Sequence, residues 1–579
     1  ENPSAHAVTM QAQRTIKDIL RKDCFIGGMS AILEDTKSLV NQEMPVYILC
    51  AVGACLVVLF LSMKETVVPL IFMLGMVFPI VYNFGTNIFL GQISYITEAL
   101  ATVLQLGVTM DFSIFLLHRF EEEKRFCPDE DEAMVRAVQK TFSSILASSL
   151  TTIAGFLAMC TMRLTLGRDI GIVMAKGVLL GVVSTVTILP ALILTFRRSI
   201  ARHTHRTFIP KLRRTSRFVV RRYIPILAVF VLCFIPFSVA QAKTPVYYTL
   251  FDSLPQDLAG IQGTSRLKED FGMTTSHFII VDDGLPARDM EALTDEIEQV
   301  DGIRQVLSYE KFLGGGVPRE VLPTEVRQIF CAGGHEMLLA NSSYESGTEA
   351  QNAQLDALNA IVKRYDPNGV ITGEGAMTKD LIEVADVDFR SVSIASIAAV
   401  FLIIAISFRS ASIPVLLVAA IESAIMINMG IPYFTGTTLP FVASIVIGTI
   451  QLGATVDYAI LMTTRFQEEL QKGKDRKEAI QIAATSSDIS IITSALVFFC
   501  STLGVALIST MDIVSSICLM LSRGAVISAL VSIFILPSVL VVFEPIIART
   551  SLWWRTPKPP KDPQNPQPGK QALSSAGKH

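Results

Sequence analysis

Residues 105–112, Gln105-Leu-Gly-Val-Thr-Met-Asp111-Phe112, and residues 451–458, Gln451-Leu-Gly-Ala-Thr-Val-Asp457-Tyr458, are two near copies of one pattern. Each copy places one carboxylate inside an apolar run that is long enough to cross a bilayer. An ionised Asp at that depth costs roughly 2.5–3.5 kcal/mol on insertion scales. A carboxylate that is merely hydrogen-bonded between helices is the ordinary alternative, but two acids at matching positions favour a functional role.

The composition is typical of a polytopic membrane protein. Of the 579 residues, 51% are hydrophobic and 17% are charged, against about 25% charged in a typical soluble domain. The formal net charge of −3 gives no support to nucleic acid or another acidic partner. Apolar runs that are long enough to span a bilayer occur at 46–63, 66–83, 94–117, 141–162, 170–196, 224–242, 390–408, 412–430, 440–464, 489–508 and 516–542.

These spans predict a polytopic α-helical protein of about eleven transmembrane helices, arranged as two five-helix clusters plus one. The predicted segments are a first bundle at 46–197, a basic loop at 198–223, a single span at 224–242, a water-exposed domain at 243–389, a second bundle at 390–545 and a disordered cytoplasmic tail at 546–579. Trp553 and Trp554 are expected to anchor the start of that tail at the membrane interface. Residues 1–45 would be the remnant of a first exterior domain, with a helix from Met10 to Arg21 and a strand near Phe25.

The water-exposed domain alternates strands and helices. Strands are predicted at 276–281, 303–308, 336–340 and 369–373, with helices at 286–299 and 346–364, which suggests a ferredoxin-like (porter-type) α+β module. Residues 313–334 would form a mobile loop. His277 and His335 are expected at the surface. The nine Cys residues show no ligand spacing, so neither a metal site nor a cofactor is expected.

Basic residues set the predicted orientation. Residues 197–222 carry ten Lys or Arg residues and no acid, so this loop is expected in the cytoplasm and the domain at 243–389 outside it. The expected location is a bacterial-type plasma membrane, which the chain crosses many times.

The chain repeats at an offset of 346 residues. Between 105–123 and 451–469, ten of nineteen residues are identical, and within one residue the same offset relates Lys176-Gly177 to Arg523-Gly524. Parallel repeats are a recurrent transporter design. About 120 residues that precede the spans of the second copy have no counterpart in the first copy. We therefore expect that the chain is truncated at its N-terminus.

Both acids lie well inside the membrane. Asp111 and Asp457 each precede an Arg by eight residues, at Arg119 and Arg465, which corresponds to ~12 Å of helix within a ~30 Å core. Removal of a carboxyl group from water favours its neutral form, and this lets such a group bind and release protons near neutral pH.

Several neighbouring residues are candidates for a supporting role. Gly107 and Gly453 lie one turn before the acids, where small residues would let the two spans approach closely, although plain packing is an equal alternative. Lys176 and Arg523 are candidate counter-charges, although outward snorkelling is favoured for such side chains. Thr151 and Thr152 could hydrogen-bond the acids, but the offset maps them to Val497 and Phe498, so that relay would be lopsided.

The paired Gly-x-x-x-Asp-(Phe/Tyr) spans, each followed by Arg-Phe, resemble the MMPL family of the resistance-nodulation-division (RND) superfamily. The resemblance implies proton-driven export of lipids or other hydrophobic molecules, with Asp–Tyr pairs as the proton relay. It pairs Asp111 with Tyr458, and Asp457 with residue 112, which is Phe112 here rather than Tyr. Asp111 and Tyr458 are therefore the expected principal pair.

Other functions stay open at this point. A Sec-accessory-like translocation component would use the same proton drive on secreted chains, and a lipid- or sterol-sensing protein would bind lipid without turnover. Hydrolytic enzymes are not supported, because no Walker lysine motif or Gly-x-Ser-x-Gly motif is present. The expected partners are the bilayer, protons and a lipidic substrate, with no nucleic acid. Homo-oligomerisation is left open.

Overall fold

A computed structural model describes residues 3–20, 26–91, 93–203, 205, 212–248, 254–309, 311, 330–552 and 554. Its described helices are α1 (Pro3–Ile19), α2 (Met29–Ser62), α3 (Val68–Gly85), α4 (Tyr95–Glu123), α5 (Glu130–Ala158), α6 (Thr165–Thr195), α7 (Arg197–Arg202), α8 (Arg213–Arg221), α9 (Tyr223–Gln241), α10 (Ala259–Phe271), α11 (Ala287–Glu298), α12 (Glu349–Tyr365), α13 (Glu374–Phe408), α14 (Ser412–Thr435), α15 (Phe441–Gln471), α16 (Arg476–Ile508), α17 (Asp512–Leu530) and α18 (Leu536–Thr550). A π-helical turn, Val531–Ile535, joins α17 to α18.

The described part of the chain contains eleven helical stretches that are long and apolar enough to span a membrane, as predicted. They are α2 to α6, α9, α13 to α16, and α17 together with α18. The two helices that carry the repeated motif, α4 and α15, are the most buried of the eleven. The charged residues at 119–140 belong largely to the ends of two spanning helices, because α4 continues to Glu123 and α5 begins at Glu130.

The two copies of the repeat pack across each other. In the first copy α4 packs against α5 and α6, but it also packs against α16 of the second copy. In the same way α15 packs against α5 of the first copy. Each motif helix is therefore enclosed by helices of both copies, which places the two acids at the centre of the bundle.

The domain between α9 and α13 has ferredoxin-like topology. Its strands are β2 (Thr275–Asp282), β3 (Ile303–Leu307), β4 (Cys331–Ala332), β5 (His335–Ser342) and β6 (Val370–Gly373), while β1 (Val246–Tyr247) pairs with β7 (Leu439–Pro440) beside the bundle. The main sheet has the order β3-β5-β2-β6, and all of its neighbouring strands are antiparallel. Helices α11 and α12 connect β2 to β3 and β5 to β6, which completes the predicted βαβ-βαβ series. The side of the bundle that bears this domain is called the domain side below.

His277 corrects the expectation of a surface role, because the side chain is fully buried under the sheet. Its Nε2 donates a hydrogen bond to Oε1 of Gln354 at 3.2 Å, and Nδ1 has no partner among the described residues. Burial lowers the pKa of His277, although the bond to Gln354 opposes this shift. His335, by contrast, is exposed as expected.

The end of the described chain also differs from the prediction. Trp554 is buried and packs edge-on against Phe466 of α15, with 5.9 Å between ring centroids. Its indole is therefore enclosed by protein and does not face lipid, as an interfacial anchor would. The predicted strand near Phe25, Trp553, most of the predicted loop at 313–334 and the tail beyond 554 lie outside the described residues.

Candidate functional site

Asp111 and Asp457 face one small cavity of about 40 Å³ between the two copies of the repeat. Asp457 is 8% exposed, and the two carboxyl groups are close enough to interact electrostatically. Tyr458 and Phe112 also line the cavity. The structure thus brings together the residues that sequence reasoning placed in the relay.

Four serines complete the polar lining of this cavity. Ser144 and Ser148 lie on α5, and Ser490 and Ser494 lie on α16. Each member of the first pair is 346 residues from its counterpart in the second pair. The repeat offset that relates the two Asp residues also relates these serines, so the sequence contains the signal that predicts them.

Each acid faces a serine of the other copy. Ser148 and Thr152 of α5 lie beside Asp457, and Ser494 of α16 lies beside Asp111. Even so, Oδ1 of Asp111 and Oδ2 of Asp457 are buried without a hydrogen-bond partner among the described residues. Buried polar atoms are nearly always satisfied in native proteins. An acceptor oxygen left open on each acid is therefore a candidate atom for a proton.

The two predicted threonines differ in position. The hydroxyl of Thr152 donates to the carbonyl oxygen of Gly453 at 2.8 Å and lies 3.4 Å from Oδ1 of Asp457. The hydroxyl of Thr151 donates instead to the carbonyl oxygen of Ser148 at 2.6 Å. Thr152 therefore belongs to the site, and Thr151 makes a bond within its own helix.

Tyr458 is buried, and its hydroxyl lies within electrostatic range of both Asp111 and Asp457. Within the described part of the chain, however, its hydroxyl makes no hydrogen bond to either carboxylate. The equivalent residue in the first copy is Phe112, which has no hydroxyl. Thr152 supplies a hydroxyl to Asp457 in place of the missing tyrosine. Asp457 therefore has the hydroxyls of Ser148 and Thr152 nearby, and Asp111 has those of Ser494 and Tyr458.

The glycines bring each motif helix against a helix of the other copy. A Cβ added to Gly107 would lie 2.4 Å from Cδ2 of Phe498 on α16, and a Cβ added to Gly453 would lie 3.5 Å from the carbonyl oxygen of Thr152 on α5. The expectation that these glycines bring α4 and α15 against each other is therefore wrong. Thr152 and Phe498 are themselves equivalent in the repeat.

A larger charged vestibule of about 460 Å³ adjoins the acid cavity on the side away from the domain. Phe115, Leu461 and Ser490 line both spaces, and Phe115 and Leu461 are equivalent in the repeat. Two apolar side chains thus separate the acids from the vestibule. The charged or titratable residues of its lining are Lys64, His118, Glu121, Glu122, Arg125, Arg213 and Arg465.

Four repeat-equivalent charges form a ring at the mouth of this vestibule. Arg119 and Glu122 on α4 pair at 3.0 Å, and Arg465 and Glu468 on α15 pair at 3.1 Å. Each Arg also faces the Glu of the other helix. The ring joins the two motif helices two turns beyond the acids.

A second repeated cluster lies on the domain side of the acids. The Nδ2 of Asn83 donates to Oε1 of Gln105 at 2.8 Å, and the Nδ2 of Asn428 donates to Oε1 of Gln451, also at 2.8 Å. All four side chains are buried. These bonds fix α4 to α3 and α15 to α14, and sequence reasoning had assigned no role to these amides.

Lys176 and Arg523 belong to this cluster and are not counter-charges to the acids, which corrects the prediction. The Nζ of Lys176 donates to the carbonyl oxygen of Asn83 at 3.0 Å and to Oδ1 of Asn87 at 2.6 Å. Arg523 donates to Oδ1 of Asn428 at 2.7 Å and to its carbonyl oxygen at 2.9 Å. Both cations donate to asparagines, and these asparagines lie nearer to the domain side than the carboxylates do.

Known membrane proteins resemble this chain over much of its length. The profile of the MMPL family matches residues 2–226 and 255–562. Membrane protein ActII-3 of Streptomyces coelicolor is 25% identical over 477 residues, which cover 80% of this chain and 63% of that protein. The mycolic acid-containing lipids exporter MmpL11 of Mycolicibacterium smegmatis is 24% identical over 202 residues, or 34% of this chain and 20% of that protein.

The fold is also that of a solved structure. The crystal structure of SecDF, a translocon-associated membrane protein from Thermus thermophilus, matches with a TM-score of 0.58 at 13% identity, over 87% of this chain and 62% of that one. This chain thus spans about three fifths of the length of SecDF and of ActII-3.

Proposed function

The chain belongs to the MMPL family, and from this premise we propose that it is a proton-driven exporter of lipids or other amphipathic molecules. The observation that carries the proposal is the single cavity that Asp111 and Asp457 share, with one unpartnered carboxylate oxygen on each. The relative MmpL11, which is named as a lipid exporter, supports the cargo class.

Proton binding would act through the repulsion between the two acids. When both are ionised, their like charges oppose close approach in a poorly solvated space. A proton on either acid removes this repulsion and alters how α4 packs on α16 and how α15 packs on α5. Tyr458, Ser148, Thr152 and Ser494 supply the hydroxyl groups that would orient the proton.

The vestibule supplies a polar space for proton exchange on the side away from the domain. Phe115 and Leu461 stand between this space and the acids. A proton would cross when these two side chains move apart, and the charged vestibule would then carry it to solvent. The repeat relates the two residues, so both halves would contribute to one gate.

The experiment reconstitutes the full chain in liposomes that contain a pH-sensitive dye and a fluorescently labelled phosphatidylethanolamine. Asp111→Asn and Asp457→Asn should each lower lipid-linked proton movement at least ~100-fold, as expected for loss of a proton-transfer group. Glu98→Gln is the matched control, because Glu98 lies on α4 but outside the acid cavity. Retention of lipid-linked proton movement in both Asn variants would refute the proposal.

Protein translocation is the alternative that the same liposomes distinguish. Likeness to SecDF at 13% identity concerns the fold alone. If an unfolded secretory polypeptide cross-links to the α+β domain between α9 and α13 and stimulates proton movement, whereas the labelled lipid does not, the translocation function replaces lipid export.

A further inference from the structure

The connection between α5 and α6 is held by a carboxylate from the second copy of the repeat. Asp388 lies on α13 and is only 1% exposed. Its Oδ1 accepts a hydrogen bond from the backbone N–H of Arg163 at 2.9 Å, and its Oδ2 accepts one from that of Leu164 at 3.0 Å. Both oxygens are therefore committed to the short segment that ends one helix and begins the next.

A matching contact runs from the first copy of the repeat to the second. Glu43 on α2 accepts hydrogen bonds from the backbone N–H of Thr510, at 3.4 Å, and from the hydroxyl of Thr510. Tyr47 bridges Glu43 to Ser509, with 2.8 Å between the Tyr47 and Ser509 hydroxyl oxygens. These residues form the connection between α16 and α17.

The repeat relates the two contacts closely. Ser509 and Thr510 follow Arg163 and Leu164 by 346 residues, and Asp388 follows Glu43 by 345. Two acids at equivalent positions on α13 and α2 thus hold equivalent connections, each in the opposite half of the protein. The two contacts are related to each other by the same repeat that relates the two halves of the acid cavity.

Each held connection ends a helix that faces the cavity. Helix α5 presents Ser148 and Thr152 to Asp457, and α16 presents Ser494 to Asp111. A shift of α5 or α16 on proton binding therefore displaces the connection that Asp388 or Glu43 binds.

The opposite end of α13 is part of the α+β domain. Strand β6 ends at Gly373, and α13 begins at the next residue, Glu374, and continues for 35 residues. A helix of this length measures ~52 Å, and no loop separates it from the sheet. Displacement of α13 at Asp388 is thus transmitted directly to the edge strand of the domain.

We propose that Asp388 and Glu43 are positioning residues that couple proton binding in the cavity to movement of the domain. This inference rests on the proposed function. Neither residue touches the proton or the cargo. Asp388 acts through two backbone amides of the opposite half, and Glu43 acts through the amide and hydroxyl of Thr510. Loss of either residue should therefore separate proton movement from cargo movement.

The first test measures labelled phosphatidylethanolamine moved per proton in the liposomes described above. Asp388→Ala should lower this ratio at least ~10-fold while proton movement persists, since the acid cavity is untouched. Asp388→Asn keeps an acceptor oxygen and should restore part of the ratio. Asp380→Ala, an exposed acid on the same helix, should leave it unchanged. If Asp388→Ala fails to fold, Glu43→Ala tests the same coupling from the other half, with Glu43→Gln as the variant that keeps an acceptor oxygen.

Hydrogen exchange gives a second readout that does not depend on transport. Between mildly acidic and mildly alkaline pH, the wild type should change exchange rates both at residues 159–165 and at the junction of β6 with α13. In Asp388→Ala, the change at residues 159–165 should persist, and the change at the junction of β6 with α13 should be lost. An unchanged lipid-to-proton ratio and a retained junction change in this variant would overturn the inference, whereas a wild type that moves no protons would instead overturn the proposed function.

Discussion

Arg465 on α15 donates hydrogen bonds from a single Nη2 to both carboxylate oxygens of Glu122 on α4, each at 2.8 Å. The reciprocal pair in the repeat, Arg119 with Glu468, is 3.9 Å apart. The charge ring at the mouth of the vestibule is therefore lopsided, and most of its cross-helix bonding passes through Glu122.

Glu122→Gln should destabilise the bundle more than Glu468→Gln. Charge-assisted hydrogen bonds contribute about 1.5–3 kcal/mol, and partial exposure of these side chains reduces that value. We expect a loss of about 1–2 kcal/mol for Glu122→Gln and about half of that for Glu468→Gln. Thermal unfolding in detergent micelles measures both, and equal losses would show that the lopsided geometry has no energetic consequence.

Gly107→Ala should be far more costly than Gly453→Ala. The new methyl group would lie 2.4 Å from the buried ring of Phe498 in the first case but would meet ordinary contact distances in the second. Overpacking of a dense core typically costs about 1–3 kcal/mol. If the clash is the cause, the double variant Gly107→Ala/Phe498→Leu should lose less stability than the sum of the single variants. Additive losses would point to a different cause.

Tyr458→Phe should lower proton movement at least ~10-fold without loss of folded protein, because it removes one hydroxyl from the acid cavity. Phe112→Tyr is the matched variant, since it places a hydroxyl at the equivalent position. It should raise proton movement in the Tyr458→Phe background. Dye-reported flux in liposomes gives both values, and wild-type flux in Tyr458→Phe would remove this hydroxyl from the relay.

His277 should make the stability of the α+β domain sensitive to acid. Burial holds its pKa below the unfolded value, which is about 6.5, so the unfolded chain binds more protons at low pH. Stability is therefore retained above about pH 6.5 and lost as the pH falls below it, by at most about 1.4 kcal/mol per pH unit. Protection of β2 amides from exchange measures this slope, and His277→Gln should flatten it. The same slope in the variant would assign it to another group.

The fold follows largely from patterns that are local in the sequence. Hydropathy predicts the eleven spans, and the alternation in β2 and β5 predicts strands to within two residues at each end. The fixed offset between Asp111 and Asp457 predicts two equivalent bundles. These features depend on side-chain periodicity, which one sequence displays directly.

The contacts of the site depend on which helices meet, and hydropathy does not contain this information. Packing within membranes is set by small residues on helix faces, and Gly107 gives no sign that its neighbour is Phe498 on α16. The sequence favours outward snorkelling of Lys176 but does not reveal Asn87 as its partner. The serines of α5 and α16 are predictable from the sequence, because the 346-residue offset that relates the acids also relates these serines.

The interlocked packing of the two halves has a consequence for biogenesis. Helix α4 is synthesised more than 350 residues before the start of α16, the helix that covers Gly107. Until α16 is made, the surface of α4 at Gly107 and the carboxyl group of Asp111 must be covered by the insertion machinery or by lipid. Two fragments severed at the basic loop should therefore be recovered as a functional assembly only when they are produced together in the same cell.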